Sequence, residues 1–188
     1  MNQEDCIHLL KKVGCSSEVI EHSLAVAEYA REIAMRYNAR HSNHADRDNP
    51  TDPANPADPT GHADQADIEL VTAGALLHDI GRARSNGINH AVIGAEIARS
   101  FGLDAAIVRI IERHIGSGIP PDEAVRLGLP AGDYMPETIE EMIVAHADNL
   151  VDDTERIEIS ERIRRLTARG FDNNAIESMR RLHTAVMG

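Results

Sequence analysis

Apolar residues recur three and four positions apart along most of the chain. The windows they define predict helices over 3–13, 17–38, 67–80, 90–101, 104–115, 137–152, 158–169 and 173–186, with Gly or Pro punctuating the gaps. No stretch alternates with period two. Isoleucine is plentiful, yet Ile107, Ile110 and Ile111, like Ile139 and Ile143, fall at helical spacing. An all-α bundle of seven to eight helices is therefore expected. Two segments break the pattern. Residues 41–66 contain no Val, Ile, Leu, Met or aromatic side chain, and Pro50, Pro53, Pro56 and Pro59 recur with the three-residue period of polyproline II. An extended or disordered insertion is expected there, because such a segment has nothing to bury. The stretch 116–136 carries Gly116, Gly118, Pro120, Pro121, Gly128, Pro130, Gly132 and Pro136 and is expected to be a long loop. The organisation expected is one domain over 1–188, interrupted by the 41–66 insertion and closed by a helical extension over 153–188.

Composition narrows the class. The 188 residues are 42% hydrophobic and 27% charged, which fits one globular core. No apolar run approaches the roughly 18 residues of a membrane span, and the N-terminal MNQEDCIHLL lacks a basic region before an apolar one. A soluble, cytoplasmic protein is expected, with no membrane partner. A net charge of −12 and only 3 Tyr, 2 Phe and 0 Trp argue against a broad nucleic-acid surface. Cys6 and Cys15 form no CxxC and read as small buried hydrophobes in a reducing compartment. Sequences of the GxSxG, P-loop and GxGxxG types are absent.

What remains is a set of 10 histidines and two misplaced acids. His78 and Asp79 end the apolar run 70–77, and an ionised Asp taken out of water costs several kcal/mol unless a cation accompanies it. Gly81 is expected to cap that helix in the left-handed conformation. Asp148 sits in a second apolar run, with Val144, Ala145 and Val151 at helical neighbour spacing. His146 shares the opposite stripe with Ile139, Met142, Ile143 and Leu150, and is expected to be a core residue. His22 lies on the face of Ala25, Val26 and Tyr29, His90 follows Asn89 as an expected N-cap, and His114 closes a helix. Each of these alone reads as a core or helix-end histidine; beside two buried carboxylates they read as metal ligands. His41, His44 and His62 fall in the insertion and are expected to be solvated.

The order His22, His78-Asp79, Asp148 resembles the H…HD…D signature of the HD-domain superfamily of metal-dependent phosphohydrolases, and His78-Asp79-Ile80-Gly81 spells its HDIG variant. The likeness covers most of 17–152 outside the insertion and implies an HD-domain-like helical bundle. The further pair His90 and His114 resembles the subset that holds two metals. The resemblance implies that His22, His78, Asp79 and Asp148 hold one ion, and that Asp79 bridges to a second held by His90 and His114. Four imidazoles and two carboxylates suit divalent iron, manganese, cobalt or nickel, with positions left for water and substrate. Two such ions would leave positive charge in the pocket and favour a small anionic substrate, a nucleotide by resemblance. Related hydrolases of dinucleoside tetraphosphates and cyclic dinucleotides usually carry Lys shortly after the dyad, where this chain has Arg82. Arginine favours phosphate clamping over proton donation. Asp79 and Arg82 are thus the expected catalytic residues, and Arg82 and Arg84 the expected substrate contacts.

The reaction expected is hydrolysis of a phosphoester or phosphoanhydride by a metal-activated hydroxide. Two alternatives stand beside it. Myo-inositol oxygenase and a phosphonate-cleaving oxygenase resemble the same six-ligand order, which implies a mixed-valent di-iron oxygenase. A nucleotide-binding regulator with structural metals and no turnover is the other. Tyr134 and Met135 are expected to anchor the 116–136 loop, which could roof the pocket. Arg162, Arg164, Arg165, Arg180 and Arg181 suit either a solvated cap or a homodimer surface.

Overall fold

The computed structural model describes residues 1–42 and 65–188. Asn2 accepts a hydrogen bond from the Asp5 N–H and opens helix α1 (Gln3–Val13), which Gly14 closes with a φ of 94°. Helix α2 (Ser17–Ser42) follows and packs along α3 (Ile68–Leu77), whose N-cap Asp67 accepts from the N–H groups of Glu69 and Leu70. A single 3-10 turn, Ile80–Ala83, leads through a bend to α4 (His90–Ser100) and α5 (Ala105–Arg113). A short α6 (Pro121–Arg126) precedes α7 (Ile139–Asn149), a two-residue-per-strand antiparallel hairpin, β1 (Val151–Asp152) with β2 (Glu155–Arg156), and finally α8 (Ile159–Ala168) and α9 (Asn173–Met187).

The fold is all-α apart from that hairpin. Helix α3 runs through its middle, in contact with α1, α2, α5 and α7, and its Val71, Ala73, Ala75, Leu76 and Leu77 are buried. One apolar cluster joins these to Leu10, Val26, Ile33, Ile110, Ile111, Ile143 and Val144. A smaller cluster of Ile119, Ala124, Leu129 and Tyr134 holds the 116–136 segment together. Among the described residues no helix is long and apolar enough to cross a membrane.

Several local expectations are corrected. The insertion expected over 41–66 lies outside the described residues except at its ends. There, His41 and Ser42 complete α2, and Ala66 is buried. Asn38 fastens the two flanks: its Nδ2 donates to the Ala66 carbonyl at 2.8 Å and its Oδ1 accepts the Ala66 N–H at 2.7 Å. The 116–136 segment is not wholly irregular, because Pro121 at the first helical turn starts α6. Tyr134 anchors that segment, donating its hydroxyl to the Pro130 carbonyl at 2.9 Å. Asn89 has helical backbone angles and makes no side-chain cap; its Oδ1 accepts from the Ser85 hydroxyl instead.

Gly81 is the most informative correction. It has no positive φ, and α3 ends four residues earlier at Leu77. Its requirement is space: a Cβ there would meet the His90 carbonyl oxygen at 1.9 Å and the Gly94 nitrogen at 2.6 Å. The missing side chain lets the 3-10 turn press against the first turn of α4, and so sets the distance between Asp79 and His90. Gly81→Ala should therefore cost about 3 kcal/mol of unfolding free energy, because backbone atoms cannot step aside. Gly74→Ala, whose Cβ meets only the side chain of Ile110 and no backbone, should cost less, about 2 kcal/mol. Urea denaturation of both variants checks this; equal losses would contradict it.

Candidate metal centre

Three of the six sequence-predicted ligands arise from one repeated local device. His78 and His114 stand at the C-caps of α3 and α5, where the last carbonyls lack helical partners. Each ring folds back three residues, His78 Nδ1 donating to the Ala75 carbonyl and His114 Nδ1 to the Ile111 carbonyl, both at 2.7 Å. His90, the first residue of α4, does the same to the Gly87 carbonyl at 2.8 Å. His22 reaches further, and its Nδ1 donates at 2.7 Å to the carbonyl of Asp153 in the hairpin turn. A carbonyl only accepts, so all four Nδ1 atoms carry the proton and every Nε2 is left to face inward.

Those Nε2 atoms converge on the two carboxylates. His22 Nε2 and His78 Nε2 lie 3.0 and 3.4 Å from Asp148 Oδ1. His90 Nε2 and His114 Nε2 lie 3.0 and 3.7 Å from Asp79 Oδ1, and His78 Nε2 lies 3.6 Å from Asp79 Oδ2. The rings form a row, with centroids 5.3 Å apart for His22–His78, 4.9 Å for His78–His114 and 5.1 Å for His90–His114. Donors bound at about 2.1 Å to one ion in cis positions sit about 3 Å from each other, so the observed spacings are compatible with ligands around cations as well as with hydrogen bonds.

Two features show that protein partners do not complete the site. His78 Nε2 and Asp79 Oδ1 are buried with no hydrogen-bond partner among the described residues. His90 Nε2 and His114 Nε2 face each other at 3.1 Å, although both Nδ1 protons are already committed to carbonyls. Two facing lone pairs repel unless a proton or a metal ion lies between them. The donor groups fall into His22, His78 and Asp148 on one side and His78, Asp79 and His114 on the other. The donor set therefore fits two metal ions. The deep part is closed, with His78, Asp79, His90 and His114 buried, whereas the His22 and Asp148 side chains are 19% and 23% exposed. Solvent enters at the Asp148 end.

The electrostatics follow from this packing. Burial opposes charge on His78, yet the carboxylates of Asp79 and Asp148 outweigh it and raise its pKa to about 9. Burial and the charge on His78 push His114 down to about 3. Burial likewise disfavours ionised Asp79 and Asp148, but the imidazoles hold both carboxyls well below their usual range. Without metal, one proton on His78 is the cation the cluster keeps.

Arg82, in the 3-10 turn, donates its Nε to Asp79 Oδ2 at 2.5 Å and is 34% exposed. Arg84 is exposed, and no hydrogen bond or ion pair ties it to the cluster among the described residues. His146 is buried on the far side of α7, with Nε2 3.3 Å from His183 Nδ1. Cys6 is fully buried and Cys15 Sγ donates to the Ile80 carbonyl. Sequence reasoning missed the hairpin, whose Asp153 has the only positive φ among described non-glycine residues, 54°. That conformation suits a tight hairpin turn and aims the carbonyl that orients His22. It missed Asn149 as well, which is 1% exposed and donates to the Gly116 and Ala145 carbonyls at 2.6 and 2.7 Å.

Comparison with known proteins gives an independent view. A family model described as the HD domain matches residues 19–152. An uncharacterized protein of Methanocaldococcus jannaschii is 45% identical over 169 residues, 90% of this chain and 86% of that one. A tRNA (cytidine(56)-2'-O)-methyltransferase of Thermoplasma volcanium is 43% identical over 182 residues, 97% of this chain but 46% of the methyltransferase. The chain thus spans about half the length of that relative. Among solved structures, the HD domain of the phosphodiesterase PgpH from L. monocytogenes, in complex with cyclic-di-AMP, superposes with a TM-score of 0.54 at 16% identity, covering 96% of this chain and 95% of that one. The likeness to PgpH is one of fold.

The raised His78 pKa has a sign. In the metal-free protein its contribution to stability is complete below its unfolded value of 6.5 and is lost as pH rises through about 9. A metal must displace that same proton. Divalent-metal affinity should therefore increase about tenfold per pH unit between about pH 6 and 8, with close to one proton released per His78 engaged. Calorimetric titration of manganese in buffers of different ionisation enthalpy measures both; a flat profile with no proton release would contradict the site.

Proposed function

This chain belongs to the HD-domain family, and we propose that it is a metal-dependent phosphohydrolase cleaving a phosphoester or phosphoanhydride of a small nucleotide. The observation that carries this is the convergence of four Nε2 atoms, each fixed by a carbonyl behind it, on two carboxylates they would otherwise leave unbalanced. His22, His78 and Asp148 would hold one ion, His90 and His114 the other, and Asp79, in contact with both groups, would join them. Bound there, divalent cations supply a water of lowered pKa and charge neutralisation at phosphorus. Iron, manganese, cobalt and nickel all suit the donor set.

The chain's own residues do the rest. Carbonyls of Ala75, Gly87, Ile111 and Asp153 hold each Nδ1 and turn each Nε2 toward the centre. Buried helices exclude water from the inner half. Arg82 spans from Asp79 to solvent, so its remaining N–H groups can take a phosphoryl oxygen, and the exposed Arg84, two residues on in sequence, adds positive charge. A small nucleotide, rather than a long polyanion, suits a protein of net charge −12, and PgpH, of the same fold, was crystallised with a cyclic dinucleotide. A second reading, an RNA phosphodiester as substrate, draws on the relative that carries this module within a tRNA methyltransferase.

Metal-loaded protein should release phosphate or a nucleoside phosphate from a panel of cyclic dinucleotides, dinucleoside polyphosphates, nucleoside 2',3'-cyclic phosphates and tRNA, equally well with and without oxygen. Turnover confined to tRNA selects the second reading. Oxygen consumption with a mixed-valent iron signal selects the oxygenase alternative, and tight nucleotide binding without turnover selects a regulator. Asp79→Ala should abolish metal binding and activity, and Arg82→Ala should lower kcat/KM about 100-fold with metals retained. Full activity in either variant would contradict the assigned roles.

A further inference from the structure

Helix α8 carries Arg162, Arg164 and Arg165 and is capped by Arg169, and Arg162 differs from the other three. Arg164 and Arg165 form ion pairs with Glu161, and Arg165 also pairs with Asp152. Arg169 is exposed at the helix end. Arg162 is half-buried and has no ion pair among the described residues. Its Nη2 donates to Asn149 Oδ1 at 2.9 Å, and its Nε is buried with no hydrogen-bond partner among the described residues. A neutral amide is poor compensation for a desolvated guanidinium, and an orphan N–H adds to the cost.

Its position explains why such a residue is kept. Asn149 is the next residue after Asp148, and it is held rigidly by its bonds to Gly116, just beyond His114, and to Ala145. Arg162 is therefore tethered beside the open, Asp148 end of the centre. Burial and the nearby Arg165 and Arg169 work against its charge, and Asp148 is the principal anion that favours it. Ions bound to Asp148 would claim that carboxylate and leave Arg162 without its principal counter-charge.

We propose that Arg162 is a substrate-binding residue whose guanidinium N–H groups not taken by Asn149 receive an oxygen of the phosphoryl group held at the Asp148 side of the metal centre. The fork of a guanidinium matches two oxygens of one phosphoryl group, with Arg82 approaching from the Asp79 side. The two arginines would then grip one phosphoryl group from opposite edges of the opening. This assignment rests on the phosphohydrolase reading for its substrate, though not for its anion.

The test uses the full chain loaded with manganese: wild type, Arg162→Lys, Arg162→Gln, and Arg180→Ala as an exposed control. Metal content, thermal midpoint and binding of inorganic phosphate are measured by elemental analysis and calorimetry, together with KM and kcat on the best substrate. Both Arg162 variants should keep their metals and weaken phosphate binding at least about tenfold, with KM raised more than kcat falls, while Arg180→Ala matches wild type. Wild-type phosphate affinity in Arg162→Lys and Arg162→Gln, or no phosphate binding by wild type, overturns the assignment. So does loss of metal in both variants, which would make Arg162 only a brace for Asn149. Phosphate bound through Arg162 in a protein that hydrolyses none of the panel would sink the phosphohydrolase reading and leave this anion site standing.

Discussion

Two carboxylates placed among apolar helices cannot remain there ionised on their own. Desolvating each costs several kcal/mol, which the surrounding imidazoles offset by carrying a proton or by sharing a metal ion. Every unusual local feature of the chain serves that constraint. Asp79 and Asp148 face four imidazoles rather than lysines, and imidazoles deliver a lone pair only when the opposite nitrogen is protonated. The backbone therefore supplies four carbonyls, at Ala75, Gly87, Ile111 and Asp153, each set within 2.8 Å of an Nδ1. What the fold builds is a ring of donors turned inward toward charge.

Helix ends are what make this possible. A helix C-terminus leaves carbonyls unpaired, and at α3 and α5 a histidine in the capping position consumes one while presenting its other nitrogen to the pocket. The 3-10 turn after His78 brings Asp79 against α4, and Gly81 removes the one atom that would keep them apart. The hairpin after Asp148 returns the chain across α2 so that Asp153 can hold His22, 131 residues away in sequence. The geometry of the donor cluster is fixed by element termini, whereas the element interiors supply the apolar packing that makes the charges costly.

The sequence exposed the participants because their chemistry contradicts their surroundings. An Asp closing the run Leu70–Leu77, and another following Val144 and Ala145, are visible without coordinates, and helical spacing placed the histidines on usable faces. His146 was separable by the same means, since it lies on the other stripe of α7. The supporting groups were hidden for a physical reason: the Nδ1 partners are backbone carbonyls, which no residue type advertises. Gly81 was misjudged because composition cannot tell a glycine needed for φ from one needed for proximity. Asn149 escaped, and Arg162 read only as part of a solvated cap or homodimer surface, because their meaning depends on a contact between α7 and α8 that periodicity does not encode. The hairpin was too short to show alternation.

Cations at the junction of these six side chains are the centre of the account, and anomalous diffraction addresses them directly. Crystals grown with manganese and measured on both sides of its absorption edge should show two peaks. One should lie within coordination distance of His22, His78 and Asp148, the other within that distance of His90 and His114, with Asp79 reaching both. An absence of anomalous signal at this site, with the imidazoles and carboxylates bonded to one another or to water, would contradict it.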